Sequence, residues 1–229
     1  MTGEVAAPAG RRRGQPPILD GVTALKTVLE CAGYRDITEA VARHTVFLHP
    51  QTVAQTGGGA LFRTVRGPGR RGSFGPLPGG EEVMFDDNTS PTLAFLWSAG
   101  RSKGPDVQYN HVWSDPRNPL TYTALWNICA TPAFLAKTTD GSNHPEVLGL
   151  LRYRAFDLFG RRPEGEARPE RPDDYERFTW PEAPEPVVDL EAVIRGRLAE
   201  APKSRPAVCA RQLGWLYSDG QPDDTVGGS

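Results

Sequence analysis

The side chains that could do chemistry are a histidine, two asparagines and several arginines, gathered between residues 66 and 127. His111 lies near the end of the stretch Val107-Gln108-Tyr109-Asn110-His111-Val112-Trp113, and Asn127 follows it by sixteen positions. Histidine is the one side chain whose ordinary pKa leaves a neutral proton acceptor near pH 7. An amide oxygen such as that of Asn127 can take one place around a hard divalent ion, with phosphate and water in the others. Guanidinium and ammonium groups hold phosphate, arginine by a flat two-pronged contact and lysine as a point charge. Arg101 and Lys103 lie in the loop entering the histidine segment; Arg66 ends an earlier strand, and Arg70 and Arg71 lie in the Gly-rich loop after it. These are the parts of a reaction in which a base activates water against a phosphodiester while an ion offsets the charge that builds up.

Each residue also has a purely structural reading. His111 can be a strand-end histidine whose ring binds a backbone carbonyl, and Asn127 a helix N-cap, a position asparagine fills well. His144 in Asn143-His144-Pro145 reads as a helix start, and His44 and His49 have no nearby acid to make them ligands.

The elements that must position these groups follow from pattern. Val107–Trp113 reads as a strand, Ser114 to Pro119 as a polar turn, Tyr122–Trp126 as a second strand, and the segment from Asn127 to Lys137 as a helix. Upstream, Asp20 is placed to cap a helix with Val22, Leu25, Val28 and Leu29 on one face and Gly33 as its stop; Asp36 and Glu39 resemble a capping box for a second helix to His44. That helix pair is compatible with a DNA-reading helix-turn-helix, though such pairs more often serve packing or a dimer contact. Ala60–Arg66 and Val83–Phe85 read as strands; Leu93–Trp97 has no winning period. Pro145–Phe159 is a helix stopped by Gly160, residues 161–187 a Pro/charge-rich linker or surface strap, Asp189 the cap of a helix to Glu200, and Ser204-Arg205-Pro206 the start of a last one ending near Tyr217. Arg152 and Arg154 fall on opposite sides of the Pro145–Phe159 helix, so only one can face a site. The clustering of Trp97, Trp113 and Trp126 places the packed centre within residues 90–160.

The hairpin motif resembles the HNH, or His-Me finger (ββα-metal), endonuclease family in a zinc-free form. Asn110-His111-Val112 stands where that family has Asp-His-Ile/Val, and Asn127-Ile128 where it has Asn-Leu at the hairpin–helix junction. The likeness covers residues 105–140; the Cys pairs of zinc-binding members are absent, and the last family position is occupied by Leu135, Ala136 or Lys137. It implies an α+β fold around a central ββα-metal unit in residues 67–160, with His111 as general base, Asn110 beside it and Asn127 holding Mg²⁺ (or Mn²⁺). The implied activity is hydrolysis of DNA, in a restriction or defence role, with a homodimer cutting both strands. Arg101, Lys103, Arg66, Arg70 and Arg71 would carry the phosphate contacts.

Composition bounds these expectations. Three cysteines, widely spaced and odd in number, argue against a disulfide framework and point to a reducing, cytoplasmic setting. No apolar run is long enough for a membrane span and no signal peptide opens the chain. Net charge is −2, but residues 1–80 hold ten basic against five acidic residues and the remainder sixteen against twenty-three. The expected organisation is a disordered basic arm (1–17), a helical region leading into the first strand (18–66), the nuclease-like core (67–160), the linker (161–187) and C-terminal helices with a tail (188–229). Two rivals remain open: a non-catalytic DNA-binding regulator using the helix pair, and a small-molecule enzyme of secondary metabolism.

Overall fold

A computed structural model describes residues 21–67, 69–139 and 144–217; the expected basic arm, the Asp20 cap and the tail after residue 217 lie outside them. Helix α1 (Gly21–Cys31) ends at Gly33, whose φ of 85° is the left-handed turn glycine adopts freely. Of its expected apolar face only Leu29 is buried, and Val28 is 63% exposed. In α2 (Ile37–His44) the Asp36 carboxylate accepts the Glu39 N–H at 2.8 Å, and Glu39 reaches back to the Arg35 N–H at 2.9 Å. The capping box is therefore present with its return bond one residue early. His49 caps α3 (Pro50–Ala54) by accepting the Gln51 N–H at 3.2 Å.

Strands β1 (Ala60–Phe62), β2 (Thr64–Arg66), β3 (Phe74–Pro76) and β4 (Glu82–Asp86) follow. Strand β4 lies parallel to β2 on one edge and antiparallel to β3 on the other. The undecided stretch Leu93–Trp97 lies within helix α4 (Thr89–Ser98), whose Ala94, Phe95, Leu96 and Trp97 are all buried. A helix buried over most of its surface has no charged face, which is why no period emerged.

Strand β5 (Val107–His111) pairs antiparallel with β6 (Ile128–Pro132), Asn110 opposite Cys129 and His111 opposite Ile128. This corrects the expected hairpin, whose return strand was placed at Tyr122–Trp126. That segment is held elsewhere: the Thr123 hydroxyl accepts from the Phe62 N–H at 2.9 Å and donates to the Phe62 carbonyl at 3.0 Å, and Ala124 bridges Ala60. A 3₁₀ turn (Leu125–Asn127) then leads into β6. Helix α5 (Ala133–Ala136) follows β6 and gives way to a 3₁₀ turn (Lys137–Thr139), so Asn127 enters a strand rather than opening a helix.

Helix α6 (Pro145–Phe159) ends at left-handed Gly160 as its sequence requires and packs on α2 and α3. Residues 161–187 form an irregular strap with one 3₁₀ turn (Tyr175–Arg177). It is fastened by the Gln55 amide to the Val187 carbonyl (2.6 Å), by Arg177 to Asp36 (3.0 Å) and by Trp180 edge-on to Phe47. Helices α7 (Leu190–Glu200) and α8 (Arg205–Leu213) pack against α4, capped by Asp189 and Ser204. Helix α8 stops at Leu213, short of the end expected near Tyr217, and the residues beyond Gly214 form strand β7 (Trp215–Tyr217), antiparallel to β1. Trp97, Trp113 and Trp126 are buried, the last two meeting edge to face at 5.7 Å.

One close approach bears on the site. Gly67, immediately after β2, lies against the Phe85 ring, and a Cβ there would sit 2.5 Å from Phe85 Cδ1. Gly67→Ala is expected to destabilise the protein by ~1–3 kcal/mol through displacement of Phe85. Equilibrium urea unfolding checks this; a midpoint equal to wild type would show that the ring yields freely.

Candidate functional site

His111 ends β5 half-buried, and its orientation is set without an acid. Nε2–H donates to the Tyr122 carbonyl at 2.8 Å, and the imidazole stacks on the Tyr122 ring with centroids 5.1 Å apart and planes 20° from parallel. Tyr122 is itself fully buried, and its hydroxyl donates to the Asp87 carbonyl. A carbonyl can only accept, so the proton resides on Nε2 and Nδ1 carries the lone pair. Burial holds the His111 pKa below its ordinary value; the Tyr122 carbonyl opposes the shift and the Arg66 charge adds to it. The ring is thus neutral at pH 7. The structural reading of His111, a ring bound to a backbone carbonyl, is the one this bond shows, with Nδ1 outside it.

His111 opens onto a cleft of about 550 Å³, whose other lining groups include Arg66, Asn88, Tyr109, Asn110, Ser114 and Arg152. Arg66 comes from the end of β2, its backbone fixed by an N–H bond to the Pro116 carbonyl at 2.7 Å. Arg152 comes from α6; its Nε is buried and makes no hydrogen bond to the protein. Neither guanidinium has a carboxylate partner among the described residues. Arg154, on the other side of α6, lies over Trp180 and bonds Tyr175. Two unneutralised cations beside a neutral imidazole favour an anionic, acceptor-rich ligand such as a phosphate.

Asn127 does not belong to this constellation. It is 1% exposed, its Oδ1 accepts the Trp113 N–H at 2.8 Å, and its Nδ2 donates to the carbonyls of Trp113 (3.2 Å) and Thr121 (3.1 Å). The amide stitches the ends of the 114–126 connection together and has no free face for an ion. The residues present therefore do not fit a metal held by Asn127, and among the described residues no three His, Cys, Asp or Glu side chains cluster so as to hold one. Asn127→Asp is expected to cost ~3 kcal/mol or more, because a carboxylate would replace two donors and face two carbonyls in a buried site. At a metal-ligand position the same exchange would be mild; thermal unfolding in magnesium and in EDTA separates the two.

Asn110 lines the cleft, its Nδ2 donating to Thr131 Oγ1 at 2.6 Å rather than orienting His111. Lys103 lies on an adjoining hollow, whereas Arg101 lines neither. Arg71 pairs with Asp87, and the Arg70 guanidinium covers the Phe85 ring at 3.7 Å, so both are committed to the protein. His144 is buried beside Glu146 (3.2 Å), and His44 bonds the Tyr34 hydroxyl at 2.6 Å; both are structural. Burial pushes the thiols of Cys129 and Cys209 up to about 12, leaving neither a nucleophile at neutral pH. Another hollow, about 520 Å³ between α1, α2 and the strap, is lined in part by Asp36, Asp174 and Arg177, the guanidinium pairing with both carboxylates. No histidine lines it, and its carboxylates outnumber its cations, which disfavours a phosphate.

Tyr122 was not anticipated as part of the site, and Arg152 only through the opposed placing of Arg152 and Arg154 on one helix. No family model, no curated protein and no solved structure matches this chain.

Proposed function

We propose that the cleft binds a phosphodiester of a nucleic acid and that the protein hydrolyses it. The observation that carries this reading is the neutral His111 imidazole, fixed by the Tyr122 carbonyl, facing a cleft shared with the guanidiniums of Arg66 and Arg152, neither paired with a carboxylate among the described residues. In the proposed step a water oxygen bonds to phosphorus as the bond to the leaving oxygen breaks. His111 Nδ1 takes a proton from that water, and the leaving oxygen is protonated from solvent. Arg66 and Arg152 offset the charge that grows on the phosphate oxygens.

The test incubates supercoiled plasmid and a single-stranded oligonucleotide with wild type, Arg66→Ala and Arg152→Ala. Wild type is expected to cut, and each variant to lose about tenfold or more, in line with loss of a charged phosphate contact. Running the assay in magnesium and in EDTA separates cutting by the chain's own groups from cutting that needs an ion brought with the substrate. Salt-sensitive binding without product in either buffer would favour a non-catalytic nucleic-acid binder. Absence of both binding and product would reject nucleic acid and favour a small-molecule ligand.

A further inference from the structure

We infer that the hollow between α4 and β5 is a subsite for an unpaired nucleobase, next to the phosphate held in the cleft. The inference rests on the phosphodiester reading of that cleft. The hollow measures about 350 Å³, within the range of small-molecule sites, and shares Asn88 and Tyr109 with the His111 cleft. Leu93, Leu96 and Val107 give it an apolar wall, and the Tyr109 ring, tilted against Phe95 at 5.3 Å, stands between the two spaces. Two of its polar groups, Asp87 and Thr89, are bonded to Arg205, and three others are uncommitted. Asn88 is exposed at the start of α4 with no side-chain cap bond, and Gln108 and Lys103 are exposed with no side-chain partner among the described residues.

An apolar wall with an aromatic side and two free amides suits a flat heterocycle that carries donors and acceptors on its edge. Amides read such edges by paired hydrogen bonds, and bases bind protein by stacking on aromatic rings. A sugar would leave the apolar wall dry and unused, and a lipid chain would leave the amides unsatisfied. Lys103 at the rim is placed for the next phosphate. A base can enter such a hollow only when it is not stacked in a duplex, so the subsite selects single-stranded or locally opened nucleic acid.

The probes are inorganic phosphate, ribose 5-phosphate and adenosine 5′-monophosphate, titrated calorimetrically into wild type, Thr92→Tyr, Gln108→Ala and Arg152→Ala. Thr92 lines the hollow and not the cleft, so a tyrosine there fills the base space alone. The nucleotide is expected to bind about tenfold tighter than ribose 5-phosphate, the scale of one base stacked on protein. That ratio should fall to near unity in Thr92→Tyr, with phosphate binding unchanged. Gln108 is exposed, and Gln108→Ala carries the same test, with a smaller fall in the ratio, if the tyrosine variant does not fold. Equal affinity for nucleotide and ribose 5-phosphate in wild type, both lost in Arg152→Ala, would overturn the subsite and leave the cleft reading standing. Failure of all three probes to bind wild type would overturn both.

Discussion

His111→Ala is expected to lower phosphodiester cleavage by ~100-fold or more, the usual contribution of a positioned general base, while leaving a folded protein. The pH dependence supplies a sharper readout. Burial and the Arg66 charge hold the His111 pKa below its ordinary 6.5, against the opposing Tyr122 carbonyl. Cleavage should therefore persist below pH 6.5 and decline only where the folded-state ring takes up a proton. Arg66→Ala removes one of the two lowering influences, so the acid limb of the rate profile should move to higher pH. Stability follows the same titration with a definite sign. Below about 6.5 the unfolded chain binds a proton that the folded chain refuses, so stability falls as pH drops through that window and levels off below the folded-state pKa. His111→Ala should erase that part of the loss. A rate profile whose acid limb is unmoved by Arg66→Ala, or residual cutting near wild type in His111→Ala, would sink the assignment of the base.

The second large effect concerns a buried charge away from the reacting centre. Asp86 at the end of β4 is fully buried; it accepts the Ser90 N–H at 2.7 Å, the Ser90 hydroxyl at 2.5 Å and the Arg205 guanidinium. Arg205 also bonds Asp87 at 2.9 Å and Thr89 at 3.0 Å, fastening the start of α8 to the β4–α4 junction. Burial opposes ionisation of Asp87, but bonds from Thr89 and the charges of Arg205 and Arg71 outweigh it and hold the carboxyl below its usual range. Arg205→Ala leaves the Asp86 carboxylate sealed in without its counter-charge. The expected loss is ~3 kcal/mol, the lower end for broken buried pairs because the Arg205 side chain is partly exposed. Asp86→Ala should cost about as much by stranding the Ser90 donors, and the double variant less than the sum of the two. Denaturant unfolding reads these values; a change under ~0.5 kcal/mol for Arg205→Ala would show the pair to be no more than a surface contact. Because the same junction supplies the Asp87 carbonyl that receives the Tyr122 hydroxyl, Arg205→Ala should also reduce turnover by loosening the platform beneath His111.

The amino-acid sequence determined those features that short-range chemistry decides. A carboxylate or hydroxyl three residues before a free N–H, or a glycine able to turn left-handed, acts within one turn of chain. Asp36, Asp189 and Ser204 therefore cap where they stand, and Gly33 and Gly160 stop their helices. The placing of His111 at a strand end and of Arg152 and Arg154 on opposed sides of α6 was legible for the same reason. Partner choice over long range was left to the tertiary structure. Tyr122–Trp126 has as much strand character as Ile128–Pro132, but Thr123 is drawn to Phe62, sixty-one residues earlier, and only the later segment remains for β5. That choice turns Asn127 inward as a buried clamp, and it brings the Tyr122 carbonyl under the His111 ring. It also leaves Arg66 from β2 and Arg152 from α6 lining one cleft. A side chain's chemistry can be read from its type; which atoms remain free to act depends on what the folded chain has already bonded to it.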